Sequence, residues 1–176
     1  MPPSTADVMA LCATTAFGKP IIVNNLRGLV AEAVLRLALP DEWTWCSGDW
    51  AGHDFEHQDG TKLEVKQSAV RQSWKPGPKG YGKPVFDIAE RKGRYEGSVW
   101  VDGAGRHADI YVFALHAVTD DTADQRDPSQ WQFAVVPASL LPAARTISLA
   151  RVKALGQFVG FVGIAREVEA VRAAVR

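Results

Sequence analysis

Residues 109–117 read DIYVFALHA, an almost unbroken apolar run. Such a run belongs to a central strand covered on both faces. A strand of that kind needs a layer on either side, and the rest of the chain supplies the material. Ser4 and Asp7 form a capping box for a helix over about 5–16, with Val8, Leu11, Cys12 and Thr15 on one side. Pro20 and Ile21-Ile22-Val23 connect it to a second helix, capped by Asn24 or Asn25 and stopped after Leu39 by Pro40. Leu26, Leu29, Val30, Ala33, Val34 and Leu37 give this helix a core stripe, with Glu32 and Arg36 at its edge. Strand signals follow at Trp43–Cys46, 53–57, 62–66, Val99–Val101 and Trp131–Val136, the last stopped by Pro137. Leu149–Leu155 reads as a helix capped by Ser148 and ended by Gly156, and Ala165–Val175 as a terminal helix. The order predicts one α/β (α+β) domain over 1–176, with its core at about 24–136 and a helical part at about 137–176.

A length of 176 residues and 47% hydrophobic content suit a single domain with a real core. No apolar run approaches the roughly 20 residues that span a membrane. The N-terminus lacks the basic and apolar regions of a signal peptide. Cys12 and Cys46 form no metal-type pair and read as small buried thiols, which suits a reducing cytoplasm. Formal net charge is zero, but its distribution is uneven. Residues 1–61 carry 3 basic and 8 acidic side chains, residues 62–94 carry 9 and 3, and residues 95–176 carry 8 and 9. The positive charge therefore gathers just after residue 62, as an electrostatic footprint on phosphate requires.

Asp59-Gly60 marks a hairpin between 53–57 and 62–66. A two-residue turn would put Phe55 with Glu64 and Asp54 with Val65, so both faces would be mixed. A three-residue loop, 58–60, pairs His57 with Thr61 and places Gly60 in the left-handed region. Phe55, Leu63 and Val65 then share an apolar face. Asp54, Glu56, Lys62, Glu64 and Lys66 share the other, with Asp54 directly opposite Glu64. Hydrophobic burial selects the second register.

Two carboxylates side by side repel unless a cation lies between them. Lys66 offers one, and a divalent metal offers a better one. Hard cations such as Mg²⁺ take carboxylates, waters and substrate phosphates. Asp54, followed after nine residues by Glu64-Val65-Lys66, resembles the signature of the PD-(D/E)XK nucleases, although His53 stands where that motif carries proline. The resemblance covers roughly residues 24–136. It implies a restriction-endonuclease-like fold, a mixed central sheet flanked by helices. It implies metal-dependent phosphodiester hydrolysis of nucleic acid, DNA above all, with Mg²⁺ or alternatively Mn²⁺ as cofactor. Asp54 and Glu64 become metal ligands, the Val65 carbonyl a further ligand, Lys66 the catalytic lysine and Glu32 an added acidic residue from the preceding helix. Gln67 and Ser68 follow the lysine as polar residues do in such enzymes. A homodimer would supply the two sites needed to cut both strands of a duplex.

The loop Val70–Pro84 sets Arg71, Lys75, Lys79 and Lys83 around Trp74 and Tyr81. Basic side chains suit phosphates and aromatics suit unpaired bases. His53 and His57 read as packed histidines, and Arg106, His107 and Asp109 as strand-end residues. Asp120, Asp121, Asp124 and Asp127 lack calcium-loop spacing. An inactive nucleic-acid-binding module of the same fold, or a basic loop for an acidic protein partner, are the alternatives.

Overall fold

The computed structural model describes residues 2–46, 52–74, 77, 80–96 and 98–176. Helices α1 (Thr5–Phe17) and α2 (Asn24–Ala38) lead into strands β1 (Trp43–Trp45), β2 (Phe55–His57) and β3 (Lys62–Ala69). Then come β4 (Val85–Asp87), β5 (Arg91–Glu96), β6 (Val99–Gly105), β7 (Ile110–His116) and β8 (Trp131–Pro137). The chain closes with β9 (Thr146–Ser148), α3 (Leu149–Leu155), β10 (Phe158–Gly160) and α4 (Phe161–Ala174). Six strands form a mixed sheet in the order β1-β2-β3-β7-β8-β10. It is parallel at β3–β7 and antiparallel at its other pairings. Two separate ribbons, β4–β9 and β5–β6, complete the architecture. This is the α+β sheet flanked by helices that the sequence predicts.

The apolar run forms β7, buried at every position. One face of the sheet, with Leu63, Val65, Ile110, Val112, Phe133 and Val135, packs under Val30, Val34 and Leu35 of α2 and Ile164 and Val168 of α4. The other, with Tyr111, Phe113, Leu115 and Val136, packs under Phe86, Ile147 and Val152. Placing Leu63 and Val65 on one face and leaving Glu64 and Lys66 for the other is the period-two rule of a strand.

The capping box of α1 is present, with Ser4 Oγ accepting from the Asp7 amide and Asp7 accepting from the Ser4 amide. Its side facing Val8 and Leu11 stays open, and Cys12 is exposed rather than buried. The stripe of α2 is rotated from the predicted one. Val30, Ala31, Val34 and Leu35 are buried, whereas Leu29 and Leu37 face solvent. The cause is polar: Arg27 is drawn inward by amide oxygens of Asn24, Gln67 and Gln72, and this turns the helix. The helix N-cap is Val23, with no side-chain cap. The 3-residue strand at 99–101 is part of a longer one paired with β5, and α4 begins four residues before the predicted start.

Candidate active site

The three-residue loop is the one that forms. Phe55 pairs with Leu63 and Glu56 with Lys62. The His57 amide donates to the Thr61 carbonyl at 2.9 Å, the Gly60 amide donates to the His57 carbonyl at 2.8 Å, and Gly60 has φ of 88°. A side chain at Gly60 would be strained in that left-handed conformation. Phe55 and Leu63 are fully buried, so a slip of one residue would expose both, at roughly 1.5–3 kcal/mol each.

Strand β2 starts at Phe55, so its pairing with β3 ends at Leu63. Beyond that point, among the described residues, no strand pairs with this edge of β3, and the candidate site lies in this notch. The Asp54 amide donates to the Leu63 carbonyl at 2.9 Å. Its Oδ2 then accepts from the next edge donor, the Val65 amide, at 2.7 Å. An otherwise orphaned strand-edge N–H is satisfied by a carboxylate. Glu64 and Lys66 project together from β3; the Lys66 ammonium donates to Glu64 Oε1, and both side chains are largely buried. Glu32 approaches from α2, where its Oε2 accepts from the Trp45 indole at 3.0 Å. Trp45 is itself held by stacking on Phe55, with ring centroids 6.2 Å apart. Arg36, the neighbour four residues on, turns instead to the Leu39 carbonyl and Asp41.

The electrostatics show how crowded the notch is. Burial, then Glu64, then Glu32 push the Asp54 carboxyl up to about 7, against the opposing pull of the Val65 amide and Lys66. Burial raises Glu32 as well, opposed by the Trp45 indole, with Glu64 adding to the rise. Burial followed by Glu64 pushes the Tyr111 hydroxyl, beside Glu64 in the parallel register, up to about 12. Glu64 alone contacts the Lys66 ammonium, and the three carboxylates together carry more negative charge than one lysine offsets. Carboxylate oxygens with a cation deficit suit a divalent cation.

Around the site, Gln67 accepts from Arg27 Nε, which ties α2 to β3 one residue past Lys66. Ser68 is buried. Arg71 pairs with Asp121 at 2.5 Å, Trp74 is 57% exposed, Tyr81 is half-buried and Lys83 is exposed. Lys75 and Lys79 lie outside the described residues. His57 packs edge-on against Trp43, with centroids 5.1 Å apart. Arg106 donates to the carbonyls of Ile88 and Pro142, and Asp109 accepts from the Lys62 amide, so both are structural. Asp124 pairs with Arg126 and accepts from the Ile21 amide, fastening the connector between the first two helices.

Three contributors escape the sequence reading: Trp45, which orients Glu32; Arg27; and Cys46, which lies with His53 and Glu56 in one donor group. Each depends on long-range packing, and no spacing rule finds it.

No protein-family model matches the chain, and no curated protein matches it. Among solved structures, the chain is similar to the bacterial homing endonuclease I-Ssp6803I, with 18% identity over 87% of this chain and 97% of that one, at a TM-score of 0.47.

Proposed function

We propose that the protein is a divalent-metal-dependent nuclease that hydrolyses phosphodiester bonds in DNA. The observation that carries this reading is the placement of Asp54 on the edge of β3 beside the Glu64–Lys66 pair, with Glu32 near enough from α2 for its charge to act on both carboxyls. A solvated, salt-bridged hairpin face would leave its carboxylates in water, whereas Asp54 is held against the β3 edge where burial and two neighbouring carboxylates push it up.

Asp54 and Glu64 would hold the ion. A residue in a strand projects its N–H and C=O to the same side. Val65 gives its N–H to Asp54 at the open edge, so its carbonyl faces that edge too and can serve as a third oxygen ligand. Bound there, Mg²⁺ or Mn²⁺ supplies charge neutralisation at the phosphate and acidification of water. Lys66 donates hydrogen bonds and positive charge, so its work is to orient the attacking water and to offset the charge that grows on phosphorus-bound oxygens. Glu32, raised by burial and steadied by Trp45, is a stronger base than an exposed carboxylate and is suited to accept the proton that water loses. Trp74 and Lys83 are exposed on the segment that leaves β3, where stacking on bases and contact with phosphate would hold the substrate.

The test is cleavage of labelled single-stranded, duplex and branched DNA with Mg²⁺ or Mn²⁺ against EDTA, comparing the natural protein with Lys66→Ala. Metal-dependent cutting that the variant lacks supports the proposal. No cutting of any substrate, with no divalent binding by calorimetry, overturns it. Salt-sensitive DNA affinity would then identify a binding module of the same fold.

A further inference from the structure

We propose that Cys46, His53 and Glu56 form a second cation site, built for a borderline metal such as Zn²⁺ and distinct from the carboxylates of the notch. The register brings these residues together. Trp45 pairs with Phe55 and Thr44 with Glu56, so Cys46, two residues beyond Thr44, shares the face of Glu56 as a diagonal neighbour. The Cys46 amide donates to the Asp54 carbonyl at 2.8 Å, which fixes that diagonal. His53 precedes β2 and folds back until its Nε2 lies 3.1 Å from Glu56 Oε2. One ligand atom from each of the three residues lies within 4.8 Å of the other two, and among the described residues this is the group of three or more that meets that distance.

The imidazole sits as a metal ligand would, with Nε2 toward Glu56 and Nδ1 free to take its place if the ring turns over. The His53 ring is largely buried, one nitrogen faces Glu56, and Nδ1 is buried with no hydrogen-bond partner. A buried polar atom left unpaired is costly. The donor set selects the metal class: thiolate and imidazole suit Zn²⁺, whereas Mg²⁺ and Ca²⁺ prefer oxygen alone. Metal–ligand bonds of roughly 2.0–2.3 Å put tetrahedral ligands about 3.3–3.6 Å apart; the His53–Glu56 pair at 3.1 Å is already near that spacing, and the other separations, all within 4.8 Å, need to close by at most about 1.5 Å. Three protein ligands leave the fourth position to water. Binding exchanges the Cys46 thiol proton, released to solvent, for a sulfur–metal bond. Such a clip would tie Cys46 to His53 and Glu56 and steady Asp54, which lies in the chain between two of its ligands. Its role is structural support of the neighbouring notch.

The probe is Co²⁺, which reports thiolate ligation by its near-ultraviolet charge-transfer band. The full chain should bind one Co²⁺ with that band, Zn²⁺ should displace it, and excess Mg²⁺ should not. Cys46→Ser should remove the band while leaving the metal-free melting curve in place, and Cys12→Ser should keep it. His53→Gln and Glu56→Gln should each weaken Co²⁺ binding by at least roughly tenfold, the scale on which even residues behind the ligands act. Asp54→Asn with Glu64→Gln should keep the band, which separates this site from the notch and from the nuclease reading. A band that survives Cys46→Ser, or no band in the natural protein, overturns the proposal.

Discussion

The Oδ2 atom of Asp54 accepts a 2.7 Å hydrogen bond from the amide of Val65, the residue between Glu64 and Lys66. This one contact sets the first acidic residue against the second motif. It satisfies an exposed strand edge at the same time. It does not make the charge comfortable, because burial and two further carboxylates work against it.

That imbalance gives a pH signature. The Asp54 carboxyl is raised in the folded state from 3.8 to about 7. Between those values the folded chain keeps a proton that the unfolded chain has released. Its contribution to stability therefore falls as pH rises through that window and is constant above it. Asp54→Asn keeps an oxygen for the Val65 amide and removes the charge. It should stabilise the metal-free protein by about 2 kcal/mol at pH 8, with no gain below about pH 4. Urea unfolding at the two pH values checks this. Equal effects at both would show that Asp54 is not raised.

Lys66→Met keeps the aliphatic stem and removes the ammonium that Glu64 accepts from. Cleavage should fall by roughly 10²–10⁴-fold, the range of a lost acid–base or charge-stabilising group. Divalent-metal affinity by calorimetry should hold or rise, since Glu64 loses a competing cation. A variant that loses metal binding along with activity would place Lys66 in the structure of the site and outside its chemistry.

The hairpin was legible because two independent constraints agree there. Only one register buries Phe55, Leu63 and Val65 together, and Asp59-Gly60 supplies the turn that register needs. The central strand was legible from hydropathy alone. The side of α2 was not. Leu29 and Leu37 are as apolar as Val30 and Leu35, and the choice was made by Arg27 reaching amide oxygens on another element. Strand β6 was read in part, at 99–101, but β4, β5 and β9 and the pairings of both small ribbons were missed for a related reason. Their strands are short or polar, and their pairing joins segments distant in sequence or separated by a loop.

Arg27 is 6% exposed, and its hydrogen-bond partners are the amide oxygens of Asn24, Gln67 and Gln72. Arg27→Met would relieve a buried charge but leave the half-buried amide oxygens of Gln67 and Gln72 without their donor. The second effect should win, with a net loss of about 2 kcal/mol. Lys should not rescue, because a point charge cannot fork to three acceptors. Since Gln67 adjoins Lys66, kcat should fall more than KM rises. A Met variant as stable as the natural protein would show that the network does not set the helix position.

The C-terminal helix, which carries no motif, holds the tip of the β2–β3 hairpin. Arg172 Nη1 donates to Asp59 Oδ2 at 2.5 Å, and Arg176 lies 3.0 Å from the same oxygen. Arg172 also donates to Glu169, whose other oxygen accepts from the Trp43 indole at 2.8 Å. The Thr61 hydroxyl above all, then the Thr61 amide, His57 and Arg172, keep the Asp59 carboxyl well below the usual range. A depressed carboxyl adds stability above its unfolded pKa and loses it as pH falls through the folded value. Arg172→Met should therefore lower the melting temperature at pH 7, and the difference should shrink in acid as Asp59 and Glu169 protonate. Hydrogen exchange at the Gly60 and Thr61 amides should quicken in the variant, because the turn loses its anchor while β7 and β8 keep their protection. Unchanged exchange at those amides would mean that the turn holds itself, through Gly60 and the Asp59–Thr61 bonds alone.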